Sequence, residues 1–249
     1  MSGCETRIVH EEHPVFLPPD DPDAAVWRYM DLPKLVALLS RRSLWFARAD
    51  TLGDPHEGAY GEFNQRVRPH LYSEIPEDQL ANLSRYYRLL TRFTFISCWH
   101  ASEVESAAMW SLYAPLGQGV AVRSTYSRLT KSLQTDEQIF VGMVNYVDPA
   151  NEWIPEGNLL YPYIHKRRSF AHESEVRAVV QRYPEISSSS EDAPAGLNVG
   201  VDVNRLVESV FVAPGQPGWF RDVVQEVVTA FAVNPIPVGQ SDLDRSPIY

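Results

Sequence analysis

The sequence predicts a single α+β domain built on a mixed, mainly antiparallel sheet packed with helices. Three observations predict it. Apolar residues switch along the chain between the period of two of a strand and the 3.6 of a helix. Several consecutive strand candidates stand too close together for the helical crossovers that parallel neighbours need. The chain has 249 residues, 44% of them hydrophobic, enough for one large core.

Residues 1 to 22 are acidic and proline-containing and read as an irregular lead-in, with the domain running from 23 to 249. Val26 to Met30 is a short strand. Asp31 is placed to cap a helix that carries Pro33 in its first turn and Leu32, Leu35, Val36, Leu38 and Leu39 on its apolar face. Leu44 to Ala47 is a strand, and Thr51 to Pro55 a turn. A helix is expected from Pro76 to Thr91, a buried strand from Phe93 to Trp99, and a helix from Glu105 to Ala114. Gly119 to Arg123 and Ile139 to Val147 read as strands around a helix near Tyr126 to Leu133. Tyr161 to His172 reads as a short helix leading into a strand that starts at Glu173 (ESEVRAVV). The SSSSEDAPAGLN stretch gives a mobile insertion near 184–197. Strands at Val199 to Val203 and Ser209 to Ala213, an amphipathic helix from Gly218 to Ala232 and a strand at Ile236 to Gly239 complete the chain.

Composition narrows the function. A net charge of −10 argues against a general nucleic-acid or anionic-membrane partner, because such surfaces need a basic patch. Two cysteines, Cys4 and Cys98, give no disulfide framework and suit a reducing compartment. The first residues lack the basic and apolar regions of a signal peptide, and no apolar run reaches membrane-spanning length. The expectation is a cytoplasmic protein. His10-Glu11-Glu12-His13 lacks a third ligand and metalloprotease spacing. Gly117-Gln118-Gly119 is not followed by a phosphate-cradling helix.

The charged residues around the Glu173 strand carry the functional signal. Glu173, Glu175 and Arg177 would share one strand face, opposite Val176 and Ala178, either as a site or as a solvated outer face. Arg28, flanked by Trp27 and Tyr29, is a pocket cation or a surface residue. Asp54 and Glu57 order their own turn, or line a cleft or bind a hard cation. Trp110 and Tyr113, three apart on one helix face, are core or an aromatic wall for a stacked ring. Lys166 belongs to a basic run, His165 to Arg168, that is a solvated helix face or a phosphate contact. Cys98 and His100 share a strand face, with a buried structural thiol as the commoner outcome.

An ordered set of fragments resembles the bacterial family of domain of unknown function 2971. It comprises Trp27-Arg28-Tyr29, Leu44-Trp45-Phe46-Ala47, Gly53-Asp54-Pro55-His56-Glu57-Gly58, Phe95-Ile96-Ser97-Cys98-Trp99, Met109-Trp110-Ser111-Leu112-Tyr113, Gly119-Val120-Ala121-Val122, Val144-Asn145-Tyr146, Lys166 and Glu173-Ser174-Glu175-Val176-Arg177. The resemblance spans residues 26 to 240, and implies a fold but no chemistry. The order of Arg28, Ser97 and Glu173/Glu175 is also similar to ADP-ribosyltransferases of the Arg/Ser/Glu type. That second resemblance implies that the Arg holds the dinucleotide and the second Glu stabilises an oxocarbenium-like ribose.

The resulting expectation is a polar pocket lined by Arg28, Asp54, Glu57, Trp110, Tyr113, Lys166 and Arg177, with Glu175 and Glu173 as the catalytic pair. Its ligand is a small nucleotide, with NAD as the candidate substrate and no other cofactor. The chemistry is at a glycosidic bond. The alternative is a non-catalytic nucleotide-sensing or protein-interaction module in a stress or phage-defence system.

Overall fold

The computed structural model describes residues 12–114, 118–184 and 193–248. The strands are β1 (Ala25–Asp31), β2 (Ser43–Arg48), β3 (Thr94–Ala101), β4 (Gly119–Thr125), β5 (Leu133–Gln134), β6 (Phe140–Met143), β7 (Asn145–Val147), β8 (His165–Arg167), β9 (Glu175–Gln181), β10 (Gly196–Val201), β11 (Ser209–Val212) and β12 (Val238–Gln240). The helices are α1 (Leu32–Arg41), α2 (Glu62–Leu71), α3 (Glu77–Phe93), α4 (Ala107–Tyr113), α5 (Tyr126–Ser132), α6 (Tyr161–Ile164), α7 (Val203–Leu206) and α8 (Gly218–Phe231). The large sheet runs β12-β11-β4-β1-β3-β2-β10-β5, with β9 and β6 continuing from β3. Every pairing in it is antiparallel except β11 with β12, and a separate parallel pair joins β7 to β8. The α+β class and the mainly antiparallel sheet are therefore as the spacing predicts.

One irregularity positions everything that follows. β3 pairs along its length with β9, from Thr94 opposite Gln181 to His100 opposite Glu175. Its other edge is shared. β1 holds the end of β3 through Val26 opposite Ala101 and Trp27 opposite His100, and β2 holds the beginning through Ala47 opposite Ile96 and Arg48 opposite Phe95. Between these contacts β1 and β2 part, and neither strand pairs with Ser97, Cys98 or Trp99. The sheet is thus split into two wings at β3.

α1 bridges the split. Asp31 caps it by accepting the Lys34 N–H at 2.8 Å, Pro33 occupies the first turn where no N–H is missed, and Arg42 ends it in the left-handed region. Leu35, Leu38 and Leu39 bury its inner face, each contributing about 1.5–3 kcal/mol of apolar burial. They join Met30, Phe46, Trp99, Val122, Val176 and the α8 residues Phe220, Val224 and Val228 in the main core on that face of the sheet. The opposite face carries two smaller clusters. Ile96, Val179, Phe140, Leu90, Tyr163 and Ile164 form one; Trp27, Tyr29, Met109, Trp110 and Ala121 form the other.

Several elements differ from the sequence expectations. α2 is unforeseen, because its face is polar and Pro69 sits inside it. The Ile139 to Val147 strand breaks at Val144, giving β6 and β7. Tyr161 to His172 is no helix: α6 lasts one turn, β8 follows, and Arg168–Glu173 is a 3-10 turn. Consequently β9 begins at Glu175, not Glu173, after Ser174 turns in the left-handed region (φ 39°). Of the lead-in, residues 1–11 lie outside the described residues, His10 of the histidine pair among them, while Val15 and Phe16 pack on Phe140. Of the insertion, residues 185–192 lie outside the described residues, whereas Gly196 and Leu197 already belong to β10. Among the described residues no helix is long and apolar enough to cross a membrane.

Candidate functional site

A cavity of about 700 Å³ occupies the split. Strand alternation puts Arg28 on the face of Val26 and Met30, the α1 side, and puts Cys98, His100 and Glu175 on the other. Residues from both sides line the same space, including Lys34, Leu38 and Arg41 of α1 and, beyond the gap, His100, Tyr113, Lys166, Glu173 and Glu175. The cavity therefore reaches through the sheet where β1 and β2 separate.

Arg28 spans that gap. Its guanidinium donates to the Ser97 hydroxyl of β3 and, at 3.0 Å, to the Trp45 carbonyl of β2, and it lies 5.7 Å from the Trp99 ring centre. A side chain thus supplies the link that the backbone ladders omit. Burial pulls its pKa down to about 10, which leaves it a cation at neutral pH.

The other side holds a compact charge cluster in the seam between the two smaller apolar clusters. Arg177 is fully buried, and all five of its N–H groups are used. Nε donates to Glu175 at 2.7 Å, one terminal nitrogen to Glu57 at 2.5 Å and the Tyr163 carbonyl at 2.8 Å, and the other to Glu57 at 2.9 Å and Glu175 at 3.1 Å. Lys166 bridges the two glutamates, at 2.5 Å to Glu173 and 3.1 Å to Glu175, above the Phe170 ring. Three carboxylates meet two cations, which leaves the cluster as a whole with one negative charge in excess.

Burial works against the Glu175 carboxylate, but Arg177 first and then Lys166 outweigh it and hold its pKa well below the usual range. Burial likewise opposes the Lys166 cation, and Glu175 and Glu173 more than compensate, so its pKa is raised. The Cys98 thiol is pushed up, by burial and then by Glu175.

The loop after β2 is stapled to this cluster twice. Asp54 accepts Arg167 through both oxygens, at 2.6 and 3.1 Å, as well as the His56 N–H at 3.0 Å, while Glu57 takes Arg177. Gly58 follows with φ +70°, and a Cβ there would stand 2.5 Å from the Tyr163 ring, so only glycine fits. Asp54 thus orders its turn and also lines the cavity.

Of the residues singled out in the sequence, Arg28, Asp54, Glu57, Tyr113, Lys166, Glu173 and Glu175 line one cavity. Two do not. Trp110 is core: buried against Tyr29 edge to face at 4.9 Å, its indole N–H donates to Glu105 at 2.9 Å. Arg177 lies behind the wall with no donor left for a ligand. Nor are Glu173, Glu175 and Arg177 a solvated face, being 8, 2 and 0% exposed. Sequence reasoning missed Lys34, Arg41 and Phe170 in the lining, and the Asp54–Arg167 and Glu57–Arg177 pairs, whose partners lie 113 and 120 residues apart with no local signal. Among the described residues no group of three or more His, Cys, Asp or Glu is arranged to hold a metal.

No family model matches this chain, and no curated protein matches it. Solved structures that align with it include three of Thermus sp. 2.9 DarT. The complex with NAD+ aligns at 9% identity and TM-score 0.43, covering 89% of this chain and 98% of that one. The complex with ADP-ribosylated ssDNA aligns at 10% and 0.41, covering 91% and 97%. The complex with carba-NAD+ aligns at 10% and 0.40, covering 90% and 98%. Overlap of this depth carries no residue correspondence.

Proposed function

We propose that the cavity binds a nucleotide with phosphate and sugar parts, NAD being the candidate, and that the chemistry is cleavage of its glycosidic bond. One observation carries the reading. A guanidinium at the mid-sheet gap and a cluster with one excess negative charge line a single cavity large enough for a dinucleotide.

The division of labour follows from charge. Arg28 offers planar donors to phosphate oxygens. Trp45, Trp99, Tyr113 and Phe170 supply ring faces and edges along the lining. The Glu173/Glu175 pair lies where a sugar can develop positive charge. As the bond from the anomeric carbon to the nicotinamide nitrogen breaks, its electron pair goes to the ring nitrogen and neutralises the pyridinium. The ribose becomes oxocarbenium-like, and a fixed carboxylate stabilises that charge more than it stabilises the substrate. Water or another nucleophile then bonds to the anomeric carbon and releases its proton. Lys166 fixes the two carboxylates near each other.

Incubating the purified chain with NAD and quantifying nicotinamide and ADP-ribose tests this. Release that falls in Arg28→Ala and in the Glu173→Gln/Glu175→Gln double variant supports it; absence of release from the native protein overturns the catalytic reading. One observation favours a second reading, a nucleotide-binding module without turnover: Lys166 and Arg177 already serve as counter-ions for both glutamates. Calorimetric binding of NAD with no product distinguishes that case.

A further inference from the structure

The structure assigns unlike roles to the two glutamates: we infer that Glu173 is the carboxylate that meets the ligand, and that Glu175, with Arg177 and Glu57 behind it, is a positioning residue. The inference rests on the nucleotide reading above and deepens it. It also reverses the expectation that the second glutamate of the pair does the work.

The occupancy of each oxygen separates the two residues. Glu175 Oε1 accepts Arg177 Nε, and Oε2 accepts both Lys166 and an Arg177 terminal nitrogen; its side chain is 3% exposed. Its backbone is pinned as well, the N–H donating to the Tyr146 hydroxyl at 2.9 Å and the carbonyl accepting the Val144 N–H at 2.8 Å. A ligand hydroxyl could reach Glu175 only by displacing a charged partner from a buried site, at the cost of leaving that charge unpaired.

Glu173 differs. Oε2 accepts Lys166, no hydrogen bond among the described residues reaches Oε1, and the side chain is 10% exposed. It is not loose, since its carbonyl is held by His100 Nδ1 at 2.5 Å. The residue sits on the 3-10 turn, and the left-handed Ser174 sets it off from the strand, on the cavity wall. A free lone pair on a fixed carboxylate beside open space is what recognition of a sugar hydroxyl, or of a developing cation, requires.

The chain Glu57–Arg177–Glu175–Lys166–Glu173 then has a direction. Each member orients the next, and only the last presents an unoccupied oxygen.

The test uses the native protein and needs no turnover. Treatment with a water-soluble carbodiimide and glycine ethyl ester, followed by peptide fragmentation, reads which carboxylate reacts. Glu173 is expected to be labelled, as the glycine adduct or as an amide to Lys166, with Glu175 at least about tenfold slower and with NAD slowing Glu173. Labelling of Glu175 first, of both equally, or of neither overturns the assignment. Labelling of Glu173 that NAD does not slow, together with no nicotinamide release, overturns the NAD reading instead and leaves the accessibility order standing. In a protein that turns over, Glu173→Gln should lower kcat about 100-fold or more with KM and Tm little changed. Glu175→Gln should lower Tm as well, and Glu175→Asp should recover Tm before kcat. A Glu173→Gln variant with native kcat overturns the proposal.

Discussion

Arg177 and Glu57 meet side to side, both terminal nitrogens of the guanidinium on both oxygens of the carboxylate, with 120 residues between them in sequence. Neither side chain is more than 2% exposed. Their pairing ties the loop after β2 to β9 and thereby fixes one wall of the cavity.

Removing one partner should leave the other charged and buried. Glu57→Gln and Arg177→Met are each expected to destabilise the fold by about 3–5 kcal/mol, read as a lower midpoint in urea unfolding. The double variant should cost less than the two single changes together, because the pair acts as a unit.

Acid should release the Glu175 contribution. Its pKa is depressed in the folded protein, so it binds fewer protons than in the unfolded chain. The stability it supplies is present above the ordinary carboxylate pKa, near 4.5, and is lost as pH falls toward its folded value, about 2. Tm followed from pH 6 to pH 2 should fall more steeply in the native protein than in Glu175→Gln.

Arg28→Lys keeps a charge but not a planar fork. Binding of NAD should weaken by about 10- to 100-fold, the range expected when hydrogen bonds to a charged group are lost. Titration calorimetry checks this, and unchanged affinity would remove Arg28 from the phosphate role.

Trp110→Ala is expected to separate stability from binding. Truncating this buried indole should cost about 3–5 kcal/mol, while NAD affinity of the folded fraction stays within a few-fold, since Trp110 does not reach the cavity. A large loss of affinity at low temperature would return Trp110 to the binding wall.

Ser174→Gly should raise stability by up to about 1 kcal/mol, because Ser174 sits at φ 39°, a region glycine enters without steric cost. Ser174→Val should lower it, and by carrying Glu173 out of place should also lower carbodiimide labelling there.

The mainly antiparallel class and most element centres were legible because they depend on local pattern. The Asp31 cap, the leucine stripe of α1 and the alternation of β9 beyond Glu175 are all written within a few residues. α2 was not, since its polar face gives little periodic signal. The helix expected from Tyr161 to His172 failed because Lys166 and Arg167 are held in extended backbone by opposite partners, Lys166 by Glu173 and Glu175 across the turn that follows and Arg167 by Asp54, 113 residues away. The site was legible as an inventory of charges. Which charge neutralises which, and which oxygen remains free, is decided by long-range pairing that no local pattern records.

The gap between β1 and β2 has a mechanical consequence. Along most of the sheet, moving neighbouring strands apart means tearing a row of backbone hydrogen bonds. At Ser97 to Trp99 no ladder joins the two wings, and beneath the α1 bridge the Arg28 side chain reaches from β1 to the Ser97 hydroxyl and the Trp45 carbonyl. On the nucleotide reading proposed above, an incoming phosphate would compete with Ser97 and Trp45 for that guanidinium, so occupancy and the width of the opening would be linked.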